Sequence, residues 1–157
     1  MKSWDRQGLE GLPLKLLIMS LLLSLTVPAI LGSMESFERS TARSQLTAEA
    51  VRLGNMVEEV RSAGEGNRRS LSISLPPSLS KFSMVMEIGG EVRNASSLTI
   101  RCSSDGKVFL TQVLDDPPAR MTSANLSTLR LEAGEHRLTA ECRLVEGRLA
   151  VVMTVIG

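Results

Sequence analysis

The sequence predicts an α+β fold: a long N-terminal helix whose first part spans a membrane, followed by a small antiparallel β domain of about six to eight strands. Three observations predict it. One uncharged run, LLIMSLLLSLTVPAILGSM, fills residues 16–34. A stripe of apolar residues at helical spacing then continues toward Ala63. From Leu71 the apolar period switches to two, in successive strands ending in one that is apolar on both faces. The boundaries that follow are a cytoplasmic leader over 1–11, a helix over 12–63 (16–34 membrane-spanning, 35–63 amphipathic) and an extracytoplasmic β domain over 64–157.

As a helix, residues 16–34 extend roughly 28 Å at about 1.5 Å per residue, close to the hydrocarbon thickness of a bilayer. Leu16, Leu22 and Leu23 represent the surface that must find an apolar surround. Lys2, Arg6 and Lys15 precede the run, and Arg39 and Arg43 follow it. Asp5 and Glu10 dilute the N-terminal charge, but orientation follows Lys and Arg more than acidic residues, which places the N-terminus in the cytoplasm. Pro28 removes a backbone hydrogen bond and crowds the preceding turn, so a bend is expected there.

After Glu35, the residues Phe37, Leu46, Ala50, Leu53, Val57 and Val60 are read as one apolar side, with Glu38, Arg39, Arg43, Glu49, Arg52, Glu58, Glu59 and Arg61 on the other. Gly64 and Gly66 supply the stop. The expected helix, from about Leu12 to Ala63, is ~75 Å long.

In the β half, Leu71, Ile73 and Leu75 alternate with serines until Pro76-Pro77. Phe82, Met84, Met86 and Ile88 form the next strand, and Gly89-Gly90 reads as a hairpin turn into Glu91-Val92-Arg93. Leu98, Ile100 and Cys102 share a face, Asp105-Gly106 turns the chain, and 107–114 returns. Leu129-Leu131 precedes a strand carrying Leu138, Ala140, Cys142 and Leu144, and Glu146-Gly147 leads into the last strand, Leu149 to Ile156. That strand is apolar on both faces, as expected of one covered on two sides, one cover being the amphipathic half of the helix.

The net charge is +1 and aromatic residues make up 3%, with no Tyr and one Trp. There is neither a basic field nor a set of stacking platforms, so nucleic acid is excluded as the expected partner. Cys102 and Cys142 both fall on the apolar phase of their strands. In an oxidising compartment a bridge between them, closing a loop of about 40 residues, would stabilise the domain by roughly 4 kcal/mol in the chain-entropy model. The alternative is a pair of buried free thiols.

Convergent chemistry is sparse. His136 is the single histidine and reads as a solvated strand-edge residue, with no second His or Cys pair at metal-ligand spacing. The serines lack a Gly-x-Ser-x-Gly elbow and triad partners. Asp115-Asp116 stands beside Pro117-Pro118 and reads as a turn rather than a Ca²⁺ site. No enzyme activity, cofactor or metal is expected. Asn94-Ala95-Ser96 and Asn125-Leu126-Ser127 are acceptor tripeptides for N-glycosylation in expected loops.

The N-terminal DRQGLEGLPLK, running at once into the apolar stretch, resembles the class III signal peptides of archaeal type IV pilin-like proteins. The passage VRSAGEGNRR into LSISLP resembles the step from helix to first strand in the same proteins. Together these cover about the first half of the chain. The resemblance implies cleavage by a prepilin-type peptidase between Gly8 and Leu9, with Gly11 and Leu12 as second choice. It also implies a pilin-like fold and packing of the helix against other pilin-like subunits. Bacterial type IV pilins carry Glu at the fifth mature position, where cleavage after Gly8 places Pro13, with Glu10 second; Lys15 also departs from that pattern.

The expected function is that of a structural or assembly subunit of an archaeal type IV pilus-like filament or related surface or secretion apparatus. Such a subunit is stored in the membrane through 16–34, with Leu16, Leu22, Leu23 and Pro28 in the assembly helix, and reaches the cell surface after assembly. The alternative is an uncleaved single-pass protein presenting a β sandwich for binding or adhesion. A secreted protein cut after Ala29, and an extracytoplasmic enzyme, are the remaining readings.

Overall fold

The computed structural model describes residues 7–77 and 82–156, with side chains from Pro13 onward. Of the expected leader, residues 1–6 lie outside the described residues. One helix, α1, runs Gln7–Ala63 and passes through both Pro13 and Pro28. The chain divides into two compact units, Met1–Ser40 and Thr41–Gly157. The boundary inside α1 therefore falls a few residues after the expected end of the membrane segment.

In the second unit eight strands follow: β1 Arg68–Leu75, β2 Met84–Ile88, β3 Thr99–Ser104, β4 Lys107–Val113, β5 Met121–Ser123, β6 Leu129–Leu131, β7 Gly134–Val145 and β8 Arg148–Ile156. They form two four-stranded sheets, ordered β1-β7-β8-β5 and β4-β3-β2-β6. All pairings are antiparallel except β5 with β8, which is parallel and joins Met121 to Val151 through Ser123 to Met153. This is the α+β fold expected, with one correction to an all-antiparallel domain. The three-residue β5 carries no periodic signal in the sequence, because Met-Thr-Ser is too short to show one.

Two hairpins form where the sequence places them. Asp105-Gly106 and Glu146-Gly147 both have positive φ at each central residue, 53° and 74° in the first, 50° and 76° in the second. Such turns match the twist of the strands they join. Gly89-Gly90 behaves differently: β2 pairs directly with β3, but the connection runs through a 3-10 turn, Ala95–Leu98, and 91–93 is not a strand.

The core of this unit is a single cluster fed by the helix and both sheets. Ala42, Leu46, Ala50, Leu53, Met56, Val57 and Val60 come from α1; Ile73, Leu138, Cys142 and Met153 from the first sheet; and Met86, Ile100, Cys102 and Leu131 from the second. Leu46, Leu53 and Val57 have no exposed surface, and burying each contributes roughly 1.5–3 kcal/mol. At its rims the helix is tied to both sheets. Glu59 pairs with Arg69 of β1 at 2.6 Å, and the Arg43 guanidinium lies 5.2 Å from the Phe109 ring of β4.

Phe37 does not belong to the buried stripe; it is 72% exposed. At about 100° per residue, the step from Phe37 to Leu46 is about 900°, half a turn out of phase. Ala42, four residues before Leu46, takes the place expected of it. The last strand is covered on both faces only at its centre: Ala150, Val151, Val152 and Met153 are buried, whereas Val155 and Ile156 are exposed.

Candidate functional site

The surface with the clearest physical demand is the N-terminal part of α1. Leu16 is 68% exposed, Leu22 53% and Leu23 60%, and Leu14, Ile18, Leu25, Ile30 and Met34 are exposed with them. The segment is long and apolar enough to cross a membrane, and among the described residues its apolar window is not buried. Length and composition thus suit a membrane anchor or a signal segment.

Its polar groups are dealt with internally. The hydroxyl of Ser20 donates to the Leu17 carbonyl at 2.9 Å, Ser24 to Leu21 at 2.8 Å, Thr26 to Leu22 at 2.9 Å and Ser33 to Ala29 at 2.9 Å. In a hydrocarbon surround an unpaired hydroxyl costs several kcal/mol, so this back-bonding makes a serine-containing helix compatible with lipid or with apolar neighbours. Pro28, which has no N–H, is accommodated within the continuous helix. Gly8, Leu9, Gly11 and Leu12 lie in the first turns of α1.

Cys102 and Cys142 are free thiols, both buried, which overturns the expected disulfide. They sit in different sheets. Cys102, on β3, is flanked by Met86 and Leu110. Cys142, on β7, pairs with Val151 and exchanges backbone hydrogen bonds with Gly66 and Asn67 at the end of the helix. A shared apolar phase told only that both point inward, not that they meet. Burial pushes the Cys102 thiol from 9.0 up to about 12. Burial also raises Cys142, with the Arg61 guanidinium pulling it down and Glu65 pushing it up.

His136 donates through Nε2–H to the Glu132 carbonyl at 2.7 Å. It borders a cleft of about 370 Å³ with Glu49, Arg52, Ser74, Arg137 and Ile156. The Arg52 guanidinium there is already held by both oxygens of Glu49, at 2.8 and 2.9 Å. Asp115 and Asp116 are exposed in a tight turn closed by a bridge between Asp115 and Pro118. Among the described residues no group of three or more His, Cys, Asp or Glu side chains converges as metal ligands do.

The two acceptor tripeptides lie outside the strands, and both asparagines are exposed. Their surroundings differ. The Asn94 amide donates to Glu91 Oε2 at 2.9 Å, and its residue opens the 3-10 turn. Asn125 occupies the tip of a loop closed by Leu126 N–H to Ser123 O at 2.9 Å and Ser123 N–H to Ser127 O at 3.0 Å.

A long apolar N-terminal helix followed by two β-sheets is an architecture consistent with a pilin-like subunit. Comparison of the chain with protein-family models, with curated proteins and with solved structures finds no match.

Proposed function

We propose that this chain is a non-enzymatic, pilin-like assembly subunit. It is inserted in the cell membrane with its N-terminus in the cytoplasm and trimmed between Gly8 and Leu9 by a prepilin-type peptidase. It then packs through the helix 12–63 with other pilin-like subunits into an archaeal type IV pilus-like filament or a related surface or secretion apparatus. The observation that carries this reading is that one continuous helix meets two opposite solvation demands. Between Ala42 and Val60 the stripe of Leu46, Ala50, Leu53, Met56 and Val57 is buried against the chain's own sheets. From Leu14 to Met34 the apolar side chains are exposed among the described residues. Lipid meets that demand during storage, and the helices of neighbouring subunits meet it after assembly.

An aspartate at the centre of the apolar segment costs about 2.5–3.5 kcal/mol in membrane insertion and leaves a charge unpaired in any helix-packed core. Leu22→Asp or Leu23→Asp therefore abolishes insertion or filament assembly while leaving the buried stripe of α1 untouched. Wild-type amounts of sheared surface filaments from either variant would refute the proposal.

A further inference from the structure

Of the two acceptor tripeptides in the sequence, we propose that Asn125 is the one that carries an N-linked saccharide, and that Asn94 stays unmodified because the fold holds it. This rests on the extracytoplasmic placement of residues 64–157 in the function proposed above.

Transfer joins the asparagine Nδ2 to the anomeric carbon of a saccharide delivered on a lipid-linked phosphate donor. The anomeric carbon–oxygen bond to phosphate breaks, the phosphate leaves with the electron pair, and the amide gives up one proton to the transferring enzyme. The acceptor amide must therefore be open to approach, with the hydroxyl two residues on as part of the recognised unit.

Asn94 is exposed but held in place by hydrogen bonds. Its Nδ2 is bound to Glu91 Oε2, its N–H donates to the Glu91 carbonyl at 2.9 Å, and its own carbonyl accepts from Ser97 Oγ at 2.7 Å and from the Arg120 guanidinium at 3.3 Å. The same Arg120 nitrogen donates to the Val92 carbonyl at 2.7 Å and to Ser97 Oγ at 2.9 Å, which fastens both ends of the turn. The hydroxyl of Ser96 is packed over Gly90: a Cβ on that glycine would stand 2.5 Å from Ser96 Oγ. Presenting this tripeptide means dismantling a turn anchored to Arg120 beside β5.

Asn125 meets the requirement. It is exposed, its side-chain amide makes no hydrogen bond among the described residues, and Ser127 is exposed two residues on. The loop is short and self-closed, so the acceptor is displayed in one shape rather than many. Beside it, Leu126 holds φ at 58° and is 43% exposed. Leu126 also lines a trough of about 370 Å³ shared with Val92, Arg93, Val145 and Glu146, walled by the Arg93–Glu146 ion pair at 2.8 Å. A saccharide on Asn125 would cover that apolar edge with a polar, hydrated one.

Trypsin separates the two sites, since cleavage after Arg93, Arg101, Arg120 and Arg130 places Asn94 in peptide 94–101 and Asn125 in peptide 121–130. Full-length protein from its native host is digested and weighed, and protease accessibility of the β domain is measured on intact cells. The expected result is an accessible domain, saccharide mass on peptide 121–130 and none on 94–101. Asn125→Gln and Ser127→Ala lose that mass, and Ser127→Thr keeps it. An accessible domain with peptide 121–130 bare, or with peptide 94–101 modified, overturns this inference and leaves the assembly reading standing. A protease-protected domain with both peptides bare overturns the extracytoplasmic placement and this inference with it.

Discussion

Gly89 and Met121 bring the two sheets together where their backbones nearly touch. A Cβ on Gly89 would stand 2.3 Å from the Met121 carbonyl oxygen, and that oxygen accepts from the Gly90 N–H at 3.1 Å. Gly89 also holds φ at 62°. Two penalties follow for Gly89→Ala: roughly 1–2 kcal/mol for an L residue in the left-handed region and the displacement of a backbone carbonyl that has no side-chain freedom to yield. The variant should lose more than about 2 kcal/mol of stability, read as a lowered denaturant midpoint of the detergent-solubilised chain.

Much of this fold was legible in the sequence because its signals are local. The apolar run, the four-three spacing from Leu46, the strand alternations and the Asp105-Gly106 and Glu146-Gly147 turns each declare themselves within a few residues. What escaped is non-local. Gly89-Gly90 looks the same whether it turns a hairpin or admits a neighbouring backbone, and β5 acquires its strand character only from its parallel partner β8. Cys102 and Cys142 both signalled burial, but which sheet each enters is decided by topology. At the candidate assembly surface the leucines were legible from composition, whereas the difference between Asn94 and Asn125 lies in the hydrogen bonds that Asn94 donates to Glu91 and accepts from Arg120, which no spacing encodes.

The two portions of α1 should fail independently. Leu53→Ala leaves a cavity in the core and should cost about 2–5 kcal/mol, seen as a lower unfolding midpoint with membrane insertion unchanged. Leu22→Asp should do the reverse, leaving the β-domain midpoint unchanged while the protein is lost from the membrane fraction.

Gly54 of the helix faces Gln112 of β4 so closely that a Cβ would stand 2.3 Å from Gln112 Nε2, and Gln112 Oε1 is buried with no hydrogen-bond partner among the described residues. Alanine in place of glycine in a helix interior is worth about 0.8–1.0 kcal/mol, which the clash should cancel in Gly54→Ala alone. In a Gln112→Ala background the same change should recover the full gain. A double-mutant cycle of unfolding free energies reads the coupling directly.

The buried thiols make a signed pH prediction. In the unfolded chain Cys102 ionises near 9.0, and in the folded chain only near 12. Its contribution is fully present below the unfolded value and is lost as pH rises from about 9 toward 12, because only the unfolded state sheds the proton there. Unfolding midpoints should fall through that range, less steeply in Cys102→Ala. At neutral pH an alkylating reagent should leave both Cys102 and Cys142 unmodified in the folded protein and label both after denaturation.

The central claim is that the apolar helix is kept on the mature protein after prepilin-type trimming. N-terminal sequencing and intact mass of the protein from its native host, in membrane and sheared-surface fractions, test it most directly. The account predicts a chain beginning at Leu9 in both fractions, and Gly8→Val leaving the longer precursor. A mature chain that retains the leader through Gly8, or one beginning near Ile30 with the helix removed, would contradict it.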